Sequence, residues 1–184
     1  PDYTYSDFVG SIRPVKPEGK SLTYEFVAGP FSELLKKCFL HSNEEFYLVL
    51  EEINRGNCAQ IFGDLFQLLD RKSNGYSEYP VKADTDLALY LENKLGENHP
   101  GIKDGNLCLP PNLNIIATMN TSDQSLFPMD SAFKRRWEWY YIPTKITSHN
   151  SETSTIETKV IIEDKENKKD NVLINHDFKN TTIH

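Results

Sequence analysis

No stretch of this 184-residue chain is apolar for long enough to cross a membrane, and no signal peptide is recognisable. A basic excess is also missing. Lys and Arg number 20 against 27 Asp and Glu, for a formal net charge of −7, which argues against a broad nucleic-acid-binding face though not against a local one. Cysteine is sparse: Cys38, Cys58 and Cys108 have no metal-ligand spacing, and their odd number and scatter point to reduced thiols in a cytoplasmic protein. The chain opens on Pro1-Asp2-Tyr3 without a Met, and is read as part of a longer protein. Its length suits one domain with a real hydrophobic core.

What is present is a rhythm of apolar runs. Residues 1–20 are aromatic and polar, with Pro14 and Pro17 expected to break any regular element. Leu22, Tyr24 and Phe26 alternate with polar residues as in a strand, and Pro30 can start a helix whose stripe is Phe31, Leu34, Leu35 and Cys38. Phe46 to Leu50 is continuously apolar, the pattern of a strand buried on both faces of a parallel sheet. Cys58, Ile61, Phe62, Leu65, Phe66 and Leu69 form one helical stripe. Residues 72–111 are a long polar excursion with a short helix at Asp86–Leu95. A second buried strand follows at Leu113–Met119, then a short helix from Pro128 to Arg136 and a third strand from Trp137 to Ile142. Beyond Pro143 the composition is polar and suggests a largely mobile tail, interrupted by a strand at Thr158–Ile162 and an apolar patch at Val172–Ile174. The alternation of helices with buried strands predicts an α/β fold with a parallel sheet.

Two acids, Glu51 and Glu52, follow the first buried run directly. Chemistry in open α/β sheets gathers at the carboxyl ends of strands. Adjacent carboxylates there can divide labour, one organising Mg²⁺ and the other polarising an attacking water. A solvated Glu-Glu pair is the bland alternative, and the residues that follow weigh against it. Leu48-Val49-Leu50-Glu51-Glu52-Ile53-Asn54-Arg55-Gly56-Asn57 resembles the Walker B segment of AAA+ proteins of the McrB type, the nucleotide-hydrolysing motors of modification-dependent restriction systems. The usual first acid of that segment is Asp; here it is Glu51, longer by one methylene.

The second strand ends in Thr118-Met119-Asn120-Thr121-Ser122-Asp123, which resembles the sensor 1 segment of the same family. An amide at that tip can donate and accept without carrying charge. Asn-x-x-Asp also resembles the guanine-recognition motif of small GTPases, but here it caps a core strand beside the acidic one. Asp130-Ser131-Ala132-Phe133-Lys134-Arg135-Arg136-Trp137 resembles the stretch that carries the arginine finger, a cation that acts on a neighbouring subunit's γ-phosphate. A basic helix end favoured by the macrodipole explains the same residues without function. Gly19-Lys20-Ser21 is not a phosphate-binding loop, because position 14 is Pro where G-x-x-x-x-G-K-[ST] needs Gly and a strand-like segment follows. Residues 3–14 resemble the family segment downstream of that loop, so the loop is expected to precede Pro1.

The resemblance covers about residues 1–143 and implies a partial AAA+ three-layer sandwich, with 144–184 leading toward a lid. It implies that Glu51 organises Mg²⁺, Glu52 activates water, Asn120 senses the γ-phosphate, and Arg135 and Arg136 act in trans. Asn54, Arg55 and Asp123 would contact nucleotide. It also implies GTP or ATP as substrate, a homo-oligomeric ring, a McrC-like nuclease partner, and DNA contacted through the complete complex. The 72–111 excursion would be a hairpin facing the ring pore, with the Asp86–Leu95 helix as an elaboration. A MoxR-like chaperone and a non-catalytic assembly module are the competing readings.

Overall fold

The computed structural model describes residues 3–16, 18–19, 21–120, 127–142 and 172–176, the last five and 141–142 as backbone. Four strands make one parallel sheet. They are β3 (Phe46–Leu50), β6 (Leu113–Met119), β7 (Glu138–Ile142) and β8 (Val172–His176), in the order β3-β6-β8-β7. The β3–β6 ladder runs from Phe46 opposite Leu113 to Leu50 opposite Ala117, so both strands deliver their polar tips at one edge. The segment read as an apolar patch at 172–174 is thus a strand of the same sheet, between β6 and β7.

One face of β3 and β6 packs on the core. Leu48, Leu50 and Ile115 meet Phe8 of α1 (Tyr5–Phe8), Phe31 of α2 (Pro30–Leu40), Phe62 of α3 (Cys58–Phe62) and Phe133 of α5 (Ser131–Lys134) around an apolar gap of about 30 Å³. The expectation that β3 is buried on both faces does not hold. Tyr47 and Val49 are 58% and 55% exposed, because no described element covers the second face. A continuous apolar run reports only that both faces can be buried.

Helix α2 begins as its sequence dictates, with Pro30 in the first turn where a missing N–H costs nothing. Ser32 donates to the Val9 carbonyl at 2.6 Å, and Leu35 and Cys38 are fully buried. Its far end is gathered by Asn112. The Asn112 amide donates to the carbonyls of Cys38, His41 and Glu44 at 2.9–3.1 Å, and its backbone oxygen accepts from Phe46 N.

Three local expectations are corrected. Residues 1–20 are not irregular: α1 is followed by β1 (Gly10–Val15), which pairs antiparallel with β2 (Thr23–Ala28). Pro14 is tolerated because β1 has a single partner strand and its other edge needs no donor. Gly10 has φ of 125°, and a Cβ there would meet Val27 O at 2.5 Å. The helical stripe from Cys58 to Leu69 is not one helix. Gly63, at φ 50°, ends α3, and a 3₁₀ stretch continues from Gly63 to Leu69 with Leu65, Leu68 and Leu69 still buried. The helix expected from Pro128 is only Ser131–Lys134.

The 72–111 excursion contains β4 (Val81–Lys82) and β5 (Asn106–Leu107), paired antiparallel, with α4 (Thr85–Leu95) between them. It contributes to the core: Leu87, Leu91, Ile102 and Leu107 are fully buried. Asp84 caps α4 by accepting from Leu87 N at 2.8 Å. Arg71 braces the entrance to the excursion. Its guanidinium donates to the carbonyls of Gly75 and Pro110 at 3.0 Å and of Leu113 at 3.1 Å. Burial pushes its pKa down to about 10, which leaves it charged at neutral pH.

Candidate functional site

At the carboxyl end of β3 the backbone ladder stops at Leu50, and side chains take over. Glu52 N–H donates to Thr118 Oγ1 at 3.1 Å. Two residues on, Asn54 Nδ2 donates to Asn120 O at 2.8 Å. Glu52 and Asn54 therefore stand against Thr118 and Asn120, and the two expected segments, acidic and amide-bearing, form one seam. Ile53–Arg55 is a single 3₁₀ turn with Ile53 and Asn54 buried beneath it, and Glu51 and Glu52 face solvent above.

Glu52 sits in the left-handed region, at φ 51° and ψ 48°. For a non-glycine residue this costs on the order of 1 kcal/mol, and such strain gathers at functional sites. The surroundings hold it there: Glu52 N–H meets Thr118, and Glu52 O accepts from Arg55 N at 2.8 Å. The Glu52 carboxylate pairs with Arg55 Nε at 2.6 Å. Both side chains are about half exposed, so the pair contributes only about 0.3–0.5 kcal/mol and releases readily.

The two arginines differ sharply in environment. Asp130 caps α5 by accepting from Ala132 N at 3.0 Å, a bond that holds its carboxyl below the ordinary value. Arg135, at the end of that turn, is exposed. Arg136 turns inward with its side chain 7% exposed. It pairs with Asp70 at 2.9 Å, lies 4.8 Å over the Phe66 ring and donates to Ala132 O. Of the two, Arg135 is the exposed one. Asp123 lies outside the described residues.

The donor set at the strand end fits Mg²⁺, which takes one or two carboxylates and completes its shell with phosphate and water. Glu51 offers hard oxygens there. Among the described residues no group of three or more His, Cys, Asp or Glu forms a closed cage. Two residues to which the sequence assigned no role take part: Thr118, inside the sensor-like segment, accepts the Glu52 N–H, and Asp70, away from the seam and in no recognisable pattern, claims Arg136.

An acid-bearing strand end is thus stitched to an amide-bearing one on adjacent parallel strands of an α/β core. Residues 1–137 match the AAA domain of the dynein-related subfamily, and the chain belongs to that family. Two curated relatives place it with AAA+ proteins of the McrB type. It is 42% identical over 163 residues to the type II restriction enzyme BsuMI component YdiS of Bacillus subtilis (strain 168), a match covering 77% of this chain and 46% of that protein. It is 25% identical over 138 residues to the type IV methyl-directed restriction enzyme EcoKMcrB subunit of Escherichia coli (strain K12), covering 74% of this chain and 26% of that protein. The chain thus spans less than half the length of either relative. AAA proteins in general hydrolyse nucleoside triphosphates with Mg²⁺. No helix among the described residues is long and apolar enough to cross a membrane.

Proposed function

We propose that this chain is the water-activating and sensing half of a McrB-like AAA+ NTPase that works as a cytoplasmic homo-oligomeric ring in a DNA restriction system. The observation that carries the reading is the seam, where Glu52 and Asn120 are brought to one edge by adjacent strands and tied by Thr118 and Asn54. In this reading Glu52 is the general base. Release from Arg55 frees its carboxylate to accept a proton from the attacking water. Asn120 orients that water or the γ-phosphate through its amide. Glu51 holds Mg²⁺, which supplies charge neutralisation on the phosphates when bound. Arg135 acts on the nucleotide of the neighbouring subunit, and Arg136 anchors the turn that presents it.

The substrate is GTP or ATP, bound with a phosphate-binding loop that this chain does not contain: no G-x-x-x-x-G-K-[ST] occurs in it. The partner is a McrC-like nuclease subunit, and DNA is engaged by the assembled complex. The restriction components among its relatives favour this over a MoxR-like chaperone. The test is Glu52→Gln in the full-length protein. Gln keeps size and hydrogen bonding but cannot accept the proton, so nucleotide affinity is expected to stay within about twofold while phosphate release falls by roughly 10²–10⁴. Unchanged turnover removes Glu52 from the mechanism.

A further inference from the structure

Asn54 is 4% exposed, yet it carries an amide into the seam. That amide is oriented by chemistry: the group opposite is a carbonyl, so only the NH₂ side can face Asn120 O. The backbone of the same residue makes a second tie, its carbonyl accepting from Phe127 N at 3.0 Å. One residue of the acidic loop thereby holds the last described residue of the sensor strand, Asn120, and the first described residue beyond it, Phe127. The ladder to β3 ends at Leu50 and Ala117, and the ladder to β8 reaches Met119, so on the side of the acidic loop the tie at Asn120 is the one made by the Asn54 amide.

We propose that Asn54 is a positioning residue, which sets Asn120 relative to Glu52 through the carbonyl it holds. The inference rests on the NTPase reading above. It departs from the expectation that Asn54 touches nucleotide, since the residue is buried and its amide points at a carbonyl inside the protein. A side chain of another chemistry fails in a defined way. Asp is isosteric but sets oxygen against the Asn120 carbonyl, pushing the strand tip away. Ser is too short to reach. Displacing a reacting group by about 1 Å can cost on the order of 10² in rate without weakening ground-state binding.

The test uses the full-length protein with Asn54→Asp, Asn54→Ser, Asn120→Ala and the double variant Asn54→Asp/Asn120→Ala. Steady-state hydrolysis of GTP and ATP, affinity for a fluorescent nucleotide analogue and thermal melting are measured on each. The expected result is that kcat falls roughly 10–100-fold for both Asn54 variants, with KM and affinity within about twofold. The decisive readout is the double variant. If Asn54 acts through Asn120, adding Asn54→Asp to Asn120→Ala changes kcat by less than about twofold, whereas a general structural defect multiplies the two losses. The proposal is overturned if folded Asn54 variants keep kcat within about threefold of wild type. It is also overturned if KM rises at constant kcat, if the double variant is multiplicative, or if both Asn54 variants lose their melting transition. Failure of the parent reading looks different: wild type and Asn120→Ala then hydrolyse equally or not at all, and the positioning role falls with it.

Discussion

Arg135 and Arg136 are adjacent in sequence but should fail in opposite ways when truncated. Arg136→Ala removes a charge-assisted hydrogen bond to Asp70, a cation–π contact with Phe66 and a bond to Ala132 O. Breaking a fully buried ion pair costs about 3–5 kcal/mol. Asp70 is 31% exposed and partly solvated once abandoned, so about 2–3 kcal/mol is the sounder figure. The ring contact adds about 0.5–1 kcal/mol. A loss of roughly 2–4 kcal/mol in a domain of this size lowers the melting temperature by roughly 5–15 °C. Arg135→Ala removes an exposed side chain with no such partners among the described residues, and stability should stay within about 0.5 kcal/mol. Its effect should fall on turnover, by roughly 10³–10⁵ if it is a finger. Melting and phosphate release on the full-length variants separate the two. Mixing Arg135→Ala with Glu52→Gln should restore some activity, because one interface then holds an intact Glu52 and a borrowed Arg135. The reasoning is refuted if Arg136→Ala melts with wild type, if Arg135→Ala hydrolyses normally, or if verified mixed rings stay dead.

Arg71→Met should destabilise the protein by roughly 2–4 kcal/mol, since the carbonyls of Gly75, Pro110 and Leu113 lose their donors together; a urea midpoint unchanged from wild type would show that water replaces the guanidinium. Cys38 and Cys58 should resist thiol reagents at pH 8, because burial pushes their thiols up to about 12 and about 11. An aromatic disulfide reagent should titrate them only in denaturant, and rapid labelling of the native protein at these two positions would contradict the packing.

The parts of the fold that the sequence announces are those whose cause is local. The apolar runs at Phe46–Leu50 and Leu113–Met119 are strands as their composition announces, and the helix expected at Asp86–Leu95 is α4, begun one residue earlier behind the Asp84 cap. The parts it conceals depend on distant partners. Whether Pro14 breaks a strand depends on whether a second neighbour needs its N–H, which the two-stranded ribbon does not. Which arginine points inward depends on Asp70, far upstream. That Val172–His176 lies between β6 and β7 could not be read from a short apolar patch, since parallel pairing leaves no turn signal. At the site, the placement of Glu51, Glu52 and Asn120 at the ends of two strands was legible from their strings, whereas the ties made by Thr118 and Asn54 exist only once the two strands lie side by side.

Asn112 has a consequence for how this chain can change length over evolutionary time. Its amide gathers three carbonyls from the exit of α2 and its own carbonyl receives the first N–H of β3, so the five residues between helix and strand are cut to size. An insertion anywhere from His41 to Glu45 must break that convergence and shift the register that carries Glu52 to the sheet edge. The distal end of α4 is different: a side chain added at Gly96 would meet nothing within 4 Å. Homologues should therefore hold the spacing from Pro30 to Glu52 constant and concentrate their insertions and deletions around residues 96–98, short of His99 on the Phe39 ring, as should any engineer who wishes to splice a tag or a sensor domain into this protein.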